Sequence, residues 1–457
     1  MYDVLDVDSL LEVLSFMSAQ GLARLAAGSR LGAVVSHEAQ QHPALLVLKG
    51  TVDEVSAGIR ESLAARPTMA FLQYTREDST SEKAKEMLEF IRKRLPPECE
   101  VMGGCTQSVQ ACWFPDSHVA PPSQGKPNNP SKPSTVLDTC DEDDSNGHIG
   151  LLLATLPEAR TRAFHIRGSF MQRVGSQEVD SEDDEDTCSD EDEDDETEEE
   201  RSREAGRQGY PGSDTTAKSK EGGYPSPTTT PKTKAEGAKS DPLAALLALD
   251  PPPKVIAMDV ASGDQSLLAR VQQAFPQAAI IGGVVMGGEV LVRGRCGTSS
   301  GKGTAVLAIS GNVPLFAMTC PMITSYDQSQ EHVRQKMRLT QEKALAEDQK
   351  ILGAVLFTCC GRGPSCFGRE ANDAFLFRER FPQAPLLGYY AGGEIGPAVP
   401  RVAKEESAFL VGNARHQGYT AVYGIFLVPR KQTPSMLFQR AVLYGEVQEA
   451  FRQLHAP

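Results

Sequence analysis

The sequence predicts a mixed α/β fold, with a small helical segment in front of it and a long disordered linker inside it. Three observations support this fold class. A pattern of strand, helix, strand and strand occurs three times along the chain. The first 45 residues carry a leucine-rich helical pattern. Between residues 176 and 250 an acidic run gives way to a stretch rich in Gly, Ser, Thr, Pro and Lys, a composition typical of disorder.

The repeated pattern consists of apolar strands and a helix, and one strand in each round contains a pair of glycines. The first round comprises 68–75, the helix 82–94, 100–106 and a strand that begins near 149. The second comprises 254–260, the helix 265–274, 279–285 and 304–310. The third comprises 352–358, the helix 372–380, 386–393 and 420–427. Continuous apolar strands are buried on both faces, and glycine pairs let the backbone turn or approach a neighbour closely. We therefore expect mixed sheets with flanking helices, built from related units.

The acidic run accounts for most of the formal net charge of −15. Between Glu178 and Glu200, 17 of 23 residues are acidic, so the other 44 of the 61 acidic residues nearly balance the 46 basic ones. We interpret residues 176–250 as a disordered linker, because such a stretch cannot bury enough apolar surface to offset its chain entropy. Ser181 and Ser189, each followed by acidic residues, are candidate phosphorylation sites within it. The balanced remainder is not typical of a nucleic-acid-binding protein.

Composition also disfavours membrane and secreted proteins. The hydrophobic content of 40% and the charged content of 23% are ordinary for a globular chain, and 457 residues suggest two or three domains. No apolar run approaches the roughly 18 residues that a membrane span needs, and the acidic N-terminus lacks the basic start of a signal peptide. The 10 cysteines are not paired at zinc spacing, and reduced thiols suit an intracellular address. We expect the protein in the cytoplasm, the nucleus or both.

The first 35 residues carry more apolar side chains than so small a helical segment can bury by itself. Ser18 has the residue type of an N-cap for a second helix that begins at Ala19. Surplus apolar surface of this kind meets either a partner protein or another domain, so the segment is a docking module or a helical cap. The residues predicted to form the docking surface are Leu5, Leu10, Leu11, Val13, Leu14, Phe16, Met17, Leu22 and Leu25.

The stretch LDVDSLLEVLSFMSAQGLARLAAGSR, from Leu5 to Arg30, resembles the F-box. This helical module docks on the Skp-type adaptor of cullin-based ubiquitin ligases. The family pattern is a leucine and a proline, a leucine-rich helix, a turn containing serine, and a second helix with leucines. Asp6 stands where the family usually has the proline, and Leu31 stands near an expected tryptophan. The resemblance implies that residues 1–45 form an F-box-like helical domain.

The third round of the repeat resembles the C-terminal FIST domain. The residues that carry the resemblance are TCCGRG, at 358–363, and PLLGYYAGGEIGP, at 385–397. The family has a strand ending in Ser/Thr-Cys-x-Gly-Arg, and then a glycine and an aromatic residue followed by Gly-Glu-Ile-x-Pro. The earlier rounds resemble the N-terminal FIST part more loosely. The implied organisation is a first FIST N-type unit at 65–175, a second at 251–325 and a C-type domain at 326–457.

The FIST resemblance implies a sensory module that binds small ligands such as amino acids. Arg362 and Glu394 lie just past the C-terminal ends of neighbouring predicted strands, where ligand clefts form in open α/β sheets. An arginine holds a carboxylate by paired hydrogen bonds, and Glu394 is placed to receive an amino group. The alternative is that Arg362 and Glu394 pair with each other. Tyr389 is included in the candidate site, and because Tyr389 and Tyr390 alternate across the strand, one is expected in the core and the other facing out.

Catalytic chemistry finds little support in the sequence. Cys359 and Cys360 lack a recognisable histidine base, and buried inert thiols explain them better. The segment from Gly361 to Cys366 imitates a dinucleotide-binding loop but lacks its third glycine. Asp259 has no partner carboxylate at motif spacing. We therefore assign no catalytic residue, no metal ligand and no cofactor.

The order of an F-box-like segment followed by a FIST-like core resembles a group of F-box proteins that act as substrate receptors. The predicted function is therefore the substrate-recognition subunit of a cullin-based, SCF-type ubiquitin ligase, which promotes proteasomal degradation of a bound protein. The expected partners are a Skp-type adaptor, a cullin scaffold and the protein substrate, with a small amino-acid-like ligand as a regulator. Nucleic acid and membranes are not expected partners. The alternatives are a free-standing small-molecule sensor and, more distantly, a thiol-dependent enzyme.

Overall fold

Eighteen strands and six helices in the described part of the chain form three units with the same order of elements. The structure is a computed structural model that describes residues 42–62, 66–75, 82–106, 109–112, 137–138, 149–167, 242–261, 265–295, 297–323, 325–363, 372–399 and 413–430. Each unit runs strand, helix, strand, helix and then four strands. The predicted α/β class and its repetition are thereby confirmed. The N-terminal docking surface lies outside the described residues.

The three units differ mainly in the lengths of their helices and connections. Unit 1 comprises β1 Ala44–Gly50, α1 Val52–Ser62, β2 Met69–Thr75, α2 Glu82–Arg94, β3 Glu100–Thr106, β4 Val109–Cys112, β5 Leu137–Asp138 and β6 Ile149–Thr155. Unit 2 comprises β7 Ala159–Ile166, α3 Pro242–Leu247, β8 Val255–Val260, α4 Gln265–Ala274, β9 Ala279–Val284, β10 Val290–Gly294, β11 Gly297–Gly301 and β12 Thr304–Gly311. Unit 3 comprises β13 Leu315–Pro321, α5 Tyr326–Ala346, β14 Gln349–Cys359, a 3₁₀ turn Cys360–Arg362, α6 Asn372–Arg380, β15 Leu386–Ala391, β16 Glu394–Pro397, β17 Ala414–Gln417 and β18 Thr420–Pro429.

Each unit contributes four strands to its own sheet and a two-strand hairpin to the sheet of another unit. Sheet 1 has the order β1-β6-β2-β3-β10-β11, sheet 2 has β7-β12-β8-β9-β16-β17, and sheet 3 has β13-β18-β14-β15-β4-β5. The parallel pairs are β2 with β3, β8 with β9, and β14 with β15. Unit 1 thus completes sheet 3, unit 2 completes sheet 1 and unit 3 completes sheet 2. This exchange joins the three units in a closed cycle.

The apolar side chains divide into one shared core and three outer layers. The inner faces of all three sheets contribute to one buried cluster, with Phe71, Leu307 and Phe357 among its members. The outer face of each sheet packs against the two helices of its own unit. Because every central strand is covered on both sides, its sequence reads as a continuous apolar run, which is why the strands were predictable.

One glycine in each unit sits where two parallel strands approach closely. A Cβ atom added to Gly103, Gly282 or Gly388 would lie 1.8, 1.9 or 2.6 Å from a backbone carbonyl oxygen of the neighbouring strand. No other residue type fits such a position without moving the backbone. The prediction that these glycines permit close approach is confirmed, and the three positions give a common reference for comparing the units.

Two predicted boundaries are wrong. The predicted linker extends to residue 250, but Pro242–Leu247 is a helix, α3, whose Leu243 and Leu246 are buried against the outer face of sheet 2. Apolar burial therefore outweighs the polar composition around it. The predicted helical segment ends at residue 45, but β1 begins at Ala44 and pairs with β6. Residues 176–241, the rest of the predicted linker, lie outside the described part.

The helix α5 is largely polar in sequence, and it braces sheet 3. Ser325 caps its N-terminus by accepting a hydrogen bond from the backbone N–H of Gln328. Val333, Met337 and Ala344 lie on one face, at spacings that bring them to the same side of a helix, and are buried against the sheet. None of the described helices combines the length and the apolar character that crossing a bilayer demands.

Arg293 fastens the hairpin of unit 2 onto unit 1. It lies on β10, and its guanidinium donates hydrogen bonds to the backbone carbonyls of Ile91, Leu95, Pro96 and Cys99, at and beyond the C-terminal end of α2. The negative end of the helix dipole favours a cation there. The carbonyls of Ile91 and Pro96 also accept from the backbone N–H groups of Leu95 and Cys99, so Arg293 supplies a second donor to them. Burial lowers the pKa of Arg293, while nearby acidic groups oppose that shift. Arg293 therefore links two units through a helix terminus.

Candidate functional site

Arg362 is buried in an ion pair at the end of β14. Its Nε and Nη2 atoms donate to the two carboxylate oxygens of Asp373 at 2.9 and 2.7 Å. Burial acts against the charge, but the charge and hydrogen bonds of Asp373 outweigh it and raise the pKa of the guanidinium. The alternative that Arg362 pairs with Glu394 is wrong, since Asp373 at the start of α6 occupies the paired donors. Only Nη1 remains, and it is buried without a partner among the described residues.

Glu394 begins β16 and is fully buried, with an exposed fraction of 0%. Its Oε2 atom accepts hydrogen bonds from the backbone N–H of Thr420 at 3.1 Å and from its hydroxyl at 2.8 Å. Its Oε1 atom has no partner among the described residues. Burial raises the pKa of Glu394 to about 7, although Thr420, Arg362 and the Cys359 thiol each favour the charged form. Glu394 therefore combines a buried carboxyl with an unused acceptor.

The two other units show that the fold does not require an acid at this position. The residue that follows each closely packed glycine is paired with a residue of an exchanged hairpin. That hairpin residue is Val109 in unit 1, Val290 in unit 2 and Glu394 in unit 3. Both valines are buried in the shared core. Burial of a carboxylate costs several kcal/mol in general unless it is fully paired. Glu394 therefore stands out when the three repeats are compared by strand register, because the equivalent residues are valines.

Tyr389 belongs to a different site, in the shared core. Its hydroxyl donates to Asp259 Oδ1 at 2.8 Å, and Gln73 Nε2 donates to Asp259 Oδ2 at 2.8 Å. The three side chains come from sheets 3, 2 and 1, respectively. Burial raises the pKa of Asp259 to about 6 against the effect of both hydrogen bonds. Sequence reasoning missed Asp259 and Gln73, because their contact joins residues that are 186 positions apart.

Tyr390 is also buried, so the expectation that one of the two tyrosines faces out is wrong. Tyr389 and Tyr390 are 1% and 4% exposed. They do point to opposite faces of β15, but α5 and α6 cover the outer face of sheet 3.

The cysteines at the end of β14 differ in burial. Cys359 is buried, and burial raises the pKa of its thiol to about 11, with Glu394 adding to the shift. A thiol with so high a pKa is a poor nucleophile near neutral pH. Cys360 is partly exposed. Among the residues that the structure describes, no group of three or more His, Cys, Asp or Glu side chains is arranged to hold a metal ion.

The edge of the molecule near Glu394 carries exposed apolar side chains. Met286 lies against Gly392, and the backbone N–H of Met322 donates to the carbonyl of Tyr419. Met286, Met322 and Tyr419 are 38%, 40% and 59% exposed. Tyr419 has a φ of 56°, in the left-handed region that non-glycine residues rarely adopt. The candidate site is thus a buried carboxyl with exposed apolar side chains near it, called the apolar rim below.

Comparison with known protein families finds a FIST C domain at residues 260–397. The match begins at Val260, the last residue of β8, and ends at Pro397, the last residue of β16. The match therefore starts before residue 326, where the C-type domain was predicted to begin, and it includes part of unit 2. It contains Arg362, Tyr389 and Glu394.

Proteins of mycobacteria are among the curated proteins that are similar to this chain. An uncharacterised protein of Mycobacterium bovis is 40% identical over 92 residues, which is 20% of this chain and 21% of the relative. An uncharacterised protein of Mycobacterium tuberculosis strain CDC 1551 has the same values, and one of strain H37Rv is 37% identical over 92 residues with the same shares. The chain thus spans about a fifth of the length of the curated relatives it matches. The chain carries a FIST C domain.

Proposed function

We propose that the protein is the substrate-recognition subunit of a cullin-based, SCF-type ubiquitin ligase. In this proposal residues 1–45 form an F-box-like module that docks on a Skp-type adaptor, and the three-unit core binds the protein to be ubiquitinated. The observation that carries the proposal is the FIST C domain at 260–397, behind a leucine-rich segment that resembles an F-box from Leu5 to Arg30. The cullin scaffold enters through the adaptor and supplies the ligase chemistry.

The structure of the core is compatible with a recognition role. The exchanged hairpins join three sheets around one apolar cluster, so the core is a rigid platform for surface side chains. The exposed apolar rim formed by Met286, Met322 and Tyr419 is the surface we assign to the bound protein. Bound protein would be presented to the ligase, while the N-terminal module holds the adaptor.

A binding assay with a purified Skp-type adaptor tests the proposal. The full chain should capture the adaptor, and the double variant Leu14→Asp, Phe16→Asp should not, because charged side chains would disrupt an apolar docking surface. Leu345→Asp is the matched control: Leu345 is 47% exposed on α5, so a charge there should leave adaptor binding unchanged. If the wild-type chain does not bind the adaptor, the ligase proposal fails.

A small-molecule sensor is the second candidate, and Glu394 Oε1 is the observation that favours it. A buried carboxyl oxygen without a hydrogen-bond donor is suited to a ligand that brings a donor, such as an ammonium group. The structure changes the expected ligand, because the paired donors of Arg362 already hold Asp373. We therefore infer an amine rather than a complete amino acid as the preferred ligand class.

Thermal unfolding in the presence of ethylamine, glycinamide and glycine tests the sensor proposal. The two amines without a carboxylate should raise the melting temperature more than glycine does, and Glu394→Gln should abolish the effect. Glu379→Gln is a suitable control, because Glu379 is a half-exposed acid that pairs with Arg334 on the outer helices. If no compound shifts the wild-type melting temperature, the sensor proposal fails and the core is left as a protein-binding surface.

A further inference from the structure

Ser299 and His165 meet where the outer strands of two sheets come together. Ser299 lies on β11 at the edge of sheet 1, and His165 lies on β7 at the edge of sheet 2. The Ser299 hydroxyl is hydrogen-bonded to Nδ1 of the imidazole. His165 is buried, with an exposed fraction of 8%, whereas Ser299 is partly exposed. A partly exposed serine is therefore in contact with a shielded imidazole.

The direction of the hydrogen bonds can be deduced from the other side of the ring. His165 Nε2 lies 3.1 Å from the backbone carbonyl oxygen of Lys302. A carbonyl oxygen only accepts, so Nε2 carries the hydrogen and Nδ1 has the free lone pair. The Ser299 hydroxyl must then donate to Nδ1. This is the orientation of a nucleophile and its general base, with the base held by a third group. Gly303 allows it, since a Cβ there would lie 3.1 Å from Nε2.

Comparison with the other units shows which contact of His165 is structural and which one is not. By strand register, Lys49 and Thr319 occupy the position of His165. Lys49 donates to the carbonyl of Val109, and Thr319 donates to the carbonyl of Pro397. All three residues therefore hold a backbone carbonyl, which explains Nε2 as a structural contact. This shared role does not explain the contact of Nδ1 with Ser299, because only unit 2 has a second nitrogen at this position and a hydroxyl facing it.

The surroundings of Ser299 are positively charged. Arg167 Nη2 donates to the Ser299 hydroxyl oxygen at 3.3 Å. Arg167 and Lys302 are both exposed, so their charges are accessible to a solute. A guanidinium next to the attacking oxygen can also stabilise the negative charge that develops on a tetrahedral intermediate. The charges favour a substrate that carries an anionic group near its reactive carbonyl.

We propose that Ser299 is a nucleophile and His165 its general base, in a site that acts on anionic acyl esters. The Ser299 oxygen forms a bond to the acyl carbon while its proton passes to Nδ1. The bond to the leaving alkoxide then breaks, and the alkoxide takes that proton. Water, activated by the same imidazole, releases the acid and restores the hydroxyl. This activity goes beyond substrate recognition and departs from the expectation of a non-catalytic chain.

A fluorophosphonate probe tests the nucleophile directly on the full chain. The Ser299 oxygen would form a bond to phosphorus as the phosphorus–fluorine bond breaks, and fluoride leaves with the electron pair. Mass spectrometry of peptides should locate the adduct on Ser299. Ser299→Ala should abolish labelling at this position, while Ser300→Ala, on the next residue of the same strand, should label at the wild-type rate. Absence of an adduct on Ser299 in the wild-type chain overturns the proposal.

Replacement of the base separates a catalytic contact from a structural one. In His165→Gln the amide can still donate to the Lys302 carbonyl but is not a base, so labelling should slow by about a hundredfold. Burial lowers the pKa of His165, so the wild-type rate should reach half of its plateau below pH 6.5. Equal labelling rates in the variant and the wild type contradict the proposal. If the variant does not fold by circular dichroism, the pH profile decides, and a rate that keeps rising above pH 8 is the contrary result.

Discussion

Replacing Asp259 by asparagine should remove a pH dependence of folding stability that originates in the shared core. Asp259 is fully buried and accepts one hydrogen bond from Gln73 and one from Tyr389. Asparagine has nearly the same shape and carries no charge. Its carbonyl oxygen can accept from the Tyr389 hydroxyl. Its amide can donate to Gln73 Oε1, which has no partner among the described residues, once the Gln73 amide rotates.

The magnitude follows from the pKa of Asp259. Burial raises it from 3.8 to about 6 in the folded protein. The native state then binds the proton more tightly than the unfolded chain, so this group's contribution to stability is complete below pH 3.8 and declines until pH exceeds about 6. A difference of about two pKa units corresponds to about 3 kcal/mol. About 2 kcal/mol of this decline falls between pH 4 and pH 7.

Urea unfolding followed by circular dichroism at several pH values between 4 and 8 measures the effect. The other acids titrate in both proteins, so the informative quantity is the difference in unfolding free energy between Asp259→Asn and wild type. That difference should move in favour of the variant by about 2 kcal/mol from pH 4 to pH 7. Asp348→Asn, at an exposed aspartate with a left-handed φ of 53°, controls for the change in net charge. A flat difference curve for Asp259→Asn would refute the argument.

Three further predictions concern contacts between units and within them. Arg293→Met should lower the free energy of unfolding in urea by about 2–4 kcal/mol, since the backbone carbonyls at and beyond the end of α2 lose the hydrogen bonds that the guanidinium donates; no change would contradict the assigned role. Arg362→Ala should cost about 3–5 kcal/mol by leaving the buried carboxylate of Asp373 without its cation, and a cost below 1 kcal/mol would count against it. Gly103→Ala should prevent stable folding, as judged by thermal melting, because its Cβ would lie 1.8 Å from a carbonyl oxygen, while Gly418→Ala, with open space around it, should melt like wild type.

The strands and helices could be predicted because their signals are local. A strand covered on both faces must be apolar throughout, as in Leu386–Ala391, and the bounds of Glu82–Arg94, Gln265–Ala274 and Asn372–Arg380 match the predicted helices. The pairing between units could not be predicted in this way. It depends on hairpins that leave their own sheet, and the short strands Val109–Cys112 and Glu394–Pro397 carry no mark of the sheet they join.

In the candidate site, too, contacts between residues close in sequence could be predicted and contacts between distant residues could not. The position of Arg362 after a strand was predictable, and its partner Asp373 lies only 11 residues further along the chain, in the first turn of a helix. A search for acids at helix N-termini would have found that pair. Tyr389 was assigned to the ligand site, but it reaches Asp259 across 130 residues of sequence. Only the arrangement of the three sheets determines such a contact.

The three units together indicate which buried polar groups serve the fold and which do not. Where units 1 and 2 have Gly104 and Gly283, unit 3 has Tyr389. The tyrosine ring fills space in the core, and its hydroxyl donates to Asp259, so this buried polar group has its partner within the core. Where units 1 and 2 have valine, unit 3 has Glu394, and one oxygen of that carboxyl has no partner among the described residues. An acid that the repeat does not need and that the core does not satisfy lowers stability. Both candidate functions therefore place recognition at the edge beside Tyr419, where this carboxyl lies.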